Sequence, residues 1–207
     1  MIMLKLTSEN LILREMKSND IFGYYQILSD AITMQQFGGP VLENDLDRKD
    51  TVIRMKIERE QNKSFFWTIT LREEREFIGF VRLFSYASEY YDLSFSAMGD
   101  YRNDTDFLKE VNRKNGWEID YALLKEYRNK GIMTEAVRMV LKFTSDCNLS
   151  PIYAKINSLK NQASEKVLIS NSFKRLMPLI HDLSILNSQD PSSIIENKEY
   201  GMMYVRY

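Results

Sequence analysis

The chain has 207 residues, 44% hydrophobic and 28% charged, enough apolar material for one large domain or a domain with an elaborated loop. Its 28 Lys and Arg stand against 29 Asp and Glu, a formal net charge of −1 that excludes a general attraction for nucleic acid or anionic membranes. The single cysteine, Cys147, excludes an internal disulfide, and no apolar run approaches the ~20 residues that span a bilayer, so a cytoplasmic protein is expected.

Leu11–Glu15 reads as a first strand, followed by the helix-start cluster Ser18-Asn-Asp20. Ile21–Phe37 carries Tyr24, Ile27, Leu28 and Ala31 at helical spacing, predicting one helix that Gly38-Gly-Pro40 ends. Asp45–Gln61 is a second helix candidate. Phe65–Leu71 and Phe77–Phe84 flank the charged turn Arg72–Glu76 and read as a hairpin. Ser85–Gly116 is polar, mixed and without periodicity, and reads as an insertion.

Order returns with the strand Trp117–Leu124. A helix then runs from Gly131 to about Cys147, with Met133, Ala136, Val137, Val140 and Phe143 on one stripe. Pro151 bars its continuation, and Ile152–Ile156 is the next strand. Asn161–Ser170 reads as a short helix, while Phe173–Ser184 and Tyr200–Tyr207 supply the last strands. The order β-α-α-β-β-β-α-β-α-β-β is mixed α/β in a single domain, 1–207, with the insertion at 85–116.

The junction Tyr127-Arg-Asn-Lys-Gly-Ile-Met-Thr-Glu-Ala136 joins a strand directly to a helix. Unpaired amides and the positive end of a helix dipole suit a phosphate or pyrophosphate there. Gly131 permits close approach to the backbone, and Arg128 and Lys130 add positive charge. Neither G-x-x-x-x-G-K-S/T nor G-x-G-x-x-G occurs, which removes nucleotide hydrolysis and dinucleotide redox chemistry from the lead. No Cys–His cluster has metal-ligand spacing, so no metal is expected.

Arg128-Asn-Lys-Gly131-Ile-Met133 resembles the cofactor signature Q/R-x-x-G-x-G/A of the GNAT superfamily of acetyl-coenzyme A-dependent acetyltransferases, with Met133 at the final small-residue position. Gly131–Ala136 is similar to the G-Y/F-M/A-T/P-E-A form of its ribosomal-protein N-terminal (Rim-type) branch. Asn161-Gln-Ala-Ser164, the opening Leu11-Ile-Leu-Arg14…Asp20…Tyr24-Tyr25, and Phe77-Ile-Gly-Phe80 fall in that branch's order. The resemblance implies a mostly antiparallel twisted sheet flanked by helices and splayed between its fourth and fifth strands.

It also implies roles. Backbone near Leu123 would pair with pantetheine, and the amides of Arg128, Asn129, Lys130, Gly131, Ile132 and Met133 would hold the pyrophosphate. Asn157 and Asn161 would contact acetyl-CoA from the other side. Transfer needs a neutral amine, so a base must remove a proton and an acid must protonate the departing thiolate. Glu118 is the first choice for base, with solvent-facing strand residues the alternative for both it and Asp120. Asp120, two residues along on the same face, is assigned to the substrate cation. Ser164 is the candidate acid, with helix capping or coenzyme contact as its alternatives; Leu168 stands where many family members carry a tyrosine, and Tyr153 and Tyr204 are further tyrosines near the cleft.

His181 and Cys147 receive no catalytic role, Cys147 being read as a small buried hydrophobe. The expected activity is acetyl transfer to a primary amine, such as a protein N-terminus. Alternatives are a small amine (polyamine, amino sugar or antibiotic) or a non-catalytic coenzyme A sensor. Asp92, Asp100, Asp104 and Asp106 in the insertion would attract a cationic acceptor or form a solvated loop. A monomer or homodimer is expected.

Overall fold

A computed structural model describes residues 5–37, 41, 64–87, 115–158, 160–179 and 201–207. The expected helix Asp45–Gln61, the centre of the 85–116 insertion with its four aspartates, His181 and the end of the strand expected at 173–184 lie outside the described residues.

Eight strands form one sheet in the order β1-β2-β3-β4-β5-β6-β8-β7. They are β1 (Leu6–Thr7), β2 (Leu11–Arg14), β3 (Ser64–Leu71), β4 (Gly79–Ala87), β5 (Asn115–Leu123), β6 (Ile152–Ile156), β7 (Lys174–Leu179) and β8 (Gly201–Arg206). Every neighbouring pair is antiparallel except β5 and β6, which run parallel. Among the described residues the expected strands are present, and the two-residue β1 is the one addition. Its length leaves no alternation to read.

The single helix expected over Ile21–Phe37 is two: α1 (Asp20–Leu28) and α2 (Ala31–Phe37). Asp30 makes the break. Its Oδ2 accepts the Thr33 amide at 3.0 Å and the Thr33 hydroxyl, so a side chain replaces the carbonyls that would continue α1. At the start of α1, Asn19 makes no side-chain cap. Asp20 is buried instead, accepting from the Lys17 amide at 2.7 Å and from Arg14 at 2.6 Å. Burial alone would raise the Asp20 carboxyl, but Arg14 and the Lys17 amide outweigh it and hold it below the usual carboxylate range. The Arg14…Asp20 motif thus fixes α1 to the end of β2.

The remaining α-helices among the described residues are α3 (Ile132–Asp146) and α4 (Gln162–Ser170). The apolar stripe of α3, including Ala136, Val137 and Val140, packs with Leu13, Trp67, Ile69, Val81 and Ile119. Tyr24, Ile27 and Leu28 of α1 and Met34 of α2 pack with Phe66, Phe80 and Ala122. Neighbours Phe66 and Trp67, or Phe80 and Val81, belong to different clusters, as a strand's period of two demands. Each fully buried aliphatic side chain in these layers contributes roughly 1.5–3 kcal/mol. The same alternation puts Arg82, Glu118 and Asp120 on the α1–α2 side, where the apolar cover ends.

Candidate active site

The parallel strands β5 and β6 pair only at Trp117↔Ile152 and Glu118↔Tyr153. Beyond that point β5 continues along β4 as far as Gly79↔Leu123, while β6 continues along β8 as far as Ile156↔Met202. The sheet therefore splays between the fourth and fifth expected strands. A cleft of about 820 Å3 opens there. Glu118, Asp120, Leu123, Arg128, Asn129, Lys130, Gly131, Ile132, Met133, Asn157, Asn161 and Ser164 all line it, so one cavity gathers residues spread over 47 positions of sequence, from 118 to 164.

At one end the chain turns through a 3-10 segment, Lys125–Tyr127, before starting α3. Asn129 (φ 61°) and Gly131 (φ 77°) both adopt left-handed backbone, which asparagine tolerates and glycine adopts freely. Gly131 is the N-cap and brings no side-chain cap. The Glu135 amide closes the first helical turn on the Gly131 carbonyl at 3.1 Å. The amides from Asn129 to Thr134 have no acceptor among the described residues. A Cβ on Gly131 would meet nothing within 4 Å. Free donors, a positive helix end and open space fit a pyrophosphate. Met133, at the family's small-residue position, is 7% exposed and packs into the α3 core while also bordering the cleft.

Arg128, expected to lend the pyrophosphate both its amide and its charge, turns both elsewhere: its amide donates to the Lys125 carbonyl at 3.3 Å, and its side chain does not aim at this loop. Its Nε donates to the Leu123 carbonyl at 3.0 Å and its Nη2 to the Thr33 hydroxyl at 2.9 Å. The guanidinium clamps the end of β5 to α2, leaving the loop backbone and Lys130 to face a ligand.

The sheet floor of the cleft is charged. Arg82 and Asp120 are directly opposed between β4 and β5, and Arg82 Nε lies 3.0 Å from Asp120 Oδ2. Arg82 also stacks over the Phe84 ring, 4.4 Å from its centroid. Glu118 is 8% exposed, and its Oε2 lies 2.9 Å from Lys155 Nζ on β6. Burial and the neighbouring Asp120 charge push the Glu118 carboxyl up to about 8, against the pull of Arg82. Burial lowers the Lys155 ammonium to about 8. Sequence reading left open whether Glu118 and Asp120 face solvent; Glu118 is buried and Asp120 is paired.

On the far side, Asn157 Nδ2 donates to the Gln36 carbonyl at 3.0 Å, tying β6 to α2. Asn161 caps α4, its Oδ1 accepting the Ser164 amide at 3.1 Å. Capping thus falls to Asn161, and the Ser164 hydroxyl has no partner among the described residues. The Ser164 carbonyl accepts from the Tyr121 hydroxyl at 3.2 Å, and burial raises the Tyr121 phenol well above its usual range.

Tyr153 and Tyr204 are both buried and do not line the cleft; the Tyr204 hydroxyl donates to Glu165 at 2.7 Å. Leu168 is core. Cys147, expected to be buried, is exposed just past the end of α3.

Sequence reading missed Lys155, Tyr121, and Thr33 and Gln36 of α2. None had a local signal, because each depends on how α2, β5, β6 and α4 meet. Among the described residues, no group of three or more His, Cys, Asp or Glu could hold a metal, and no helix is long and apolar enough to cross a membrane.

The fold has solved counterparts. Ribosomal-protein-S5-alanine acetyltransferase from Vibrio fischeri aligns over 98% of this chain and 96% of its own, at 18% identity and TM-score 0.64. Spermidine N-acetyltransferase from Vibrio cholerae, solved with CoA and spermine, aligns over 96% of each chain at 12% identity and TM-score 0.66. The microcin C7 self-immunity acetyltransferase MccE, solved with acetyl-CoA and AMP, aligns over 96% of this chain and 93% of its own, at 15% identity and TM-score 0.64. No curated protein matches the sequence. Residues 10–174 match the family described as the acetyltransferase (GNAT) domain, a span that takes in the splayed strands, the amide-lined loop and Ser164. The chain therefore belongs to the GNAT acetyltransferases, enzymes that move an acetyl group from acetyl-CoA to an amine.

Proposed function

We propose that this enzyme acetylates the α-amino group of a protein N-terminus, with Glu118 as the base that neutralises it. The observation that carries the choice of acceptor is charge pairing on the cleft floor. Asp120 is matched by Arg82 and Glu118 by Lys155. A polyamine needs several negative charges along its path, and among the described residues the two floor carboxylates are offset by Arg82 and Lys155, so the floor carries no surplus of negative charge. A single ammonium on an otherwise neutral chain end suits the site better. The Rim-type form of Gly131–Ala136 and the Asn161–Ser164 motif support the same reading.

Acetyl-CoA supplies an acetyl thioester, the activated group to be transferred. The amides of Asn129 to Met133 would hold its pyrophosphate, the free edge of β5 near Leu123 its pantetheine, and Asn157 and Asn161 its other side. Glu118 takes a proton from the acceptor ammonium, directly or through water, freeing the lone pair that attacks. Its raised pKa makes its carboxylate a stronger base than an ordinary one. Asp120 positions the incoming ammonium on the same floor. As the C–N bond forms and the C–S bond breaks, Ser164, whose hydroxyl has no partner among the described residues, supplies a proton to the departing thiolate and takes in its place the second proton that the attacking nitrogen sheds.

A panel of acceptors tests this reading: N-terminal peptides of ribosomal proteins, spermidine, an amino sugar and an aminoglycoside, each with radiolabelled acetyl-CoA. Peptide N-termini should give the highest kcat/KM. Preference for spermidine or an aminoglycoside would overturn the acceptor assignment, and no transfer to any amine would leave a coenzyme-binding protein.

A further inference from the structure

Lys155 stands at the mouth of the splay, opposite the buried carboxylate of Glu118 on the cleft floor. Its strand, β6, has just parted from β5 at Glu118↔Tyr153, yet its Nζ returns across the gap to within 2.9 Å of Glu118 Oε2. The side chains are 30% and 10% exposed, so solvent screens the contact only in part. We infer that Lys155 is a positioning residue for proton transfer: its ammonium holds the Glu118 carboxylate in place across the splay and favours its ionised form over the protonated one. The inference rests on the proposed role of Glu118 as base.

The charged groups facing Glu118 come from three strands. Asp120 on β5 disfavours its ionisation, Arg82 on β4 favours it, and Lys155 on β6 touches it directly, Nζ to Oε2 at 2.9 Å. A buried carboxylate beside another carboxylate is protonated near neutral pH, and a protonated acid cannot accept a proton. An opposite charge within ~4–6 Å lowers a carboxyl pKa by about 1–3 units.

In the transfer, the acceptor R–NH3+ gives one proton to Glu118, leaving R–NH2 and Glu118–COOH beside an unchanged Lys155 ammonium. After product leaves, the carboxyl returns that proton to solvent, and the ammonium favours the return. Lysine gains and loses nothing in the cycle. It makes the base available.

The test combines a pH profile with a direct titration of the carboxyl. Lys155→Met and Lys155→Gln remove the charge, and Lys155→Arg keeps it. The Glu118 side-chain carbon is followed by 13C NMR against a Glu118→Gln reference, and kcat/KM is measured over the same pH range. Loss of the charge should move both the NMR midpoint and the ascending limb of kcat/KM to higher pH by at least about one unit. Turnover at the alkaline plateau should change far less, and Lys155→Arg should restore both midpoints.

Coenzyme-induced thermal stabilisation of each variant shows that it is folded. An unmoved NMR midpoint in both charge-removing variants would overturn the inference. Should Glu118→Gln keep the ascending limb, Glu118 is not the base and Lys155 loses its catalytic part, while the NMR midpoints decide the ion pair separately.

Discussion

Arg82 and Asp120 oppose each other across the β4–β5 ladder, Nε to Oδ2 at 3.0 Å, and their charges act on Glu118 with opposite sign. Asp120 raises the Glu118 carboxyl; Arg82 lowers it. Replacing Asp120 by Asn removes the raising charge and strips Arg82 of its counter-ion. Both effects favour the carboxylate. In the wild type, kcat/KM should rise with pH through a midpoint near 8, following the Glu118 carboxyl. In Asp120→Asn the midpoint should fall, the reverse of the shift expected on removing Lys155. An unchanged midpoint would show that the floor charges do not govern the base.

The two proton-transfer roles separate kinetically. Glu118→Gln is nearly isosteric and should reduce kcat/KM by ~10²–10⁴-fold, abolish the ascending limb and leave acetyl-CoA affinity intact. Ser164→Ala should lower kcat at saturating acetyl-CoA with little change in its affinity. Weaker coenzyme binding with normal saturated turnover would make Ser164 a binding residue.

Gly79 sits where β4 meets the end of β5, in register with Leu123. A Cβ there would come within 2.4 Å of the Ala122 carbonyl oxygen, a backbone atom that cannot step aside. Gly79→Ala should therefore cost about 1–3 kcal/mol, read as a lower thermal midpoint. A neutral substitution would show that the strands separate more easily than their packing suggests.

Asp30 caps α2, whose Thr33 receives Arg128 and whose Gln36 receives Asn157. Asp30→Ala should destabilise the protein by about 1 kcal/mol in denaturant unfolding. It should also raise the KM for acetyl-CoA, because both polar ties between α2 and the cleft run through this helix. Loss of stability with an unaltered KM would confine Asp30 to the fold.

What sequence could show followed from local pattern. Ala136, Val137 and Val140 repeat at helical spacing and announce α3. Gly131 at a strand–helix junction locates the amide-lined turn because left-handed backbone and helix starts are encoded within a few residues. The α1–α2 break was hidden because one aspartate interrupts a stretch whose apolar spacing continues. Lys155 was hidden for a different reason. Its partner is 37 positions away, and their contact depends on two strands pairing at Trp117↔Ile152 and then separating. The Arg128 side chain likewise turns to Leu123 and Thr33, contacts that no linear motif records.

The most direct measurement is the thermal midpoint with and without excess acetyl-CoA, for the wild type and Gly131→Glu. At ~100 times its dissociation constant the ligand should stabilise the wild type by about 2.7 kcal/mol, a clear upward shift. The variant places a carboxylate in the open space at the α3 start and should lose that shift while still melting cooperatively. No shift for the wild type at millimolar acetyl-CoA would contradict the account at its root.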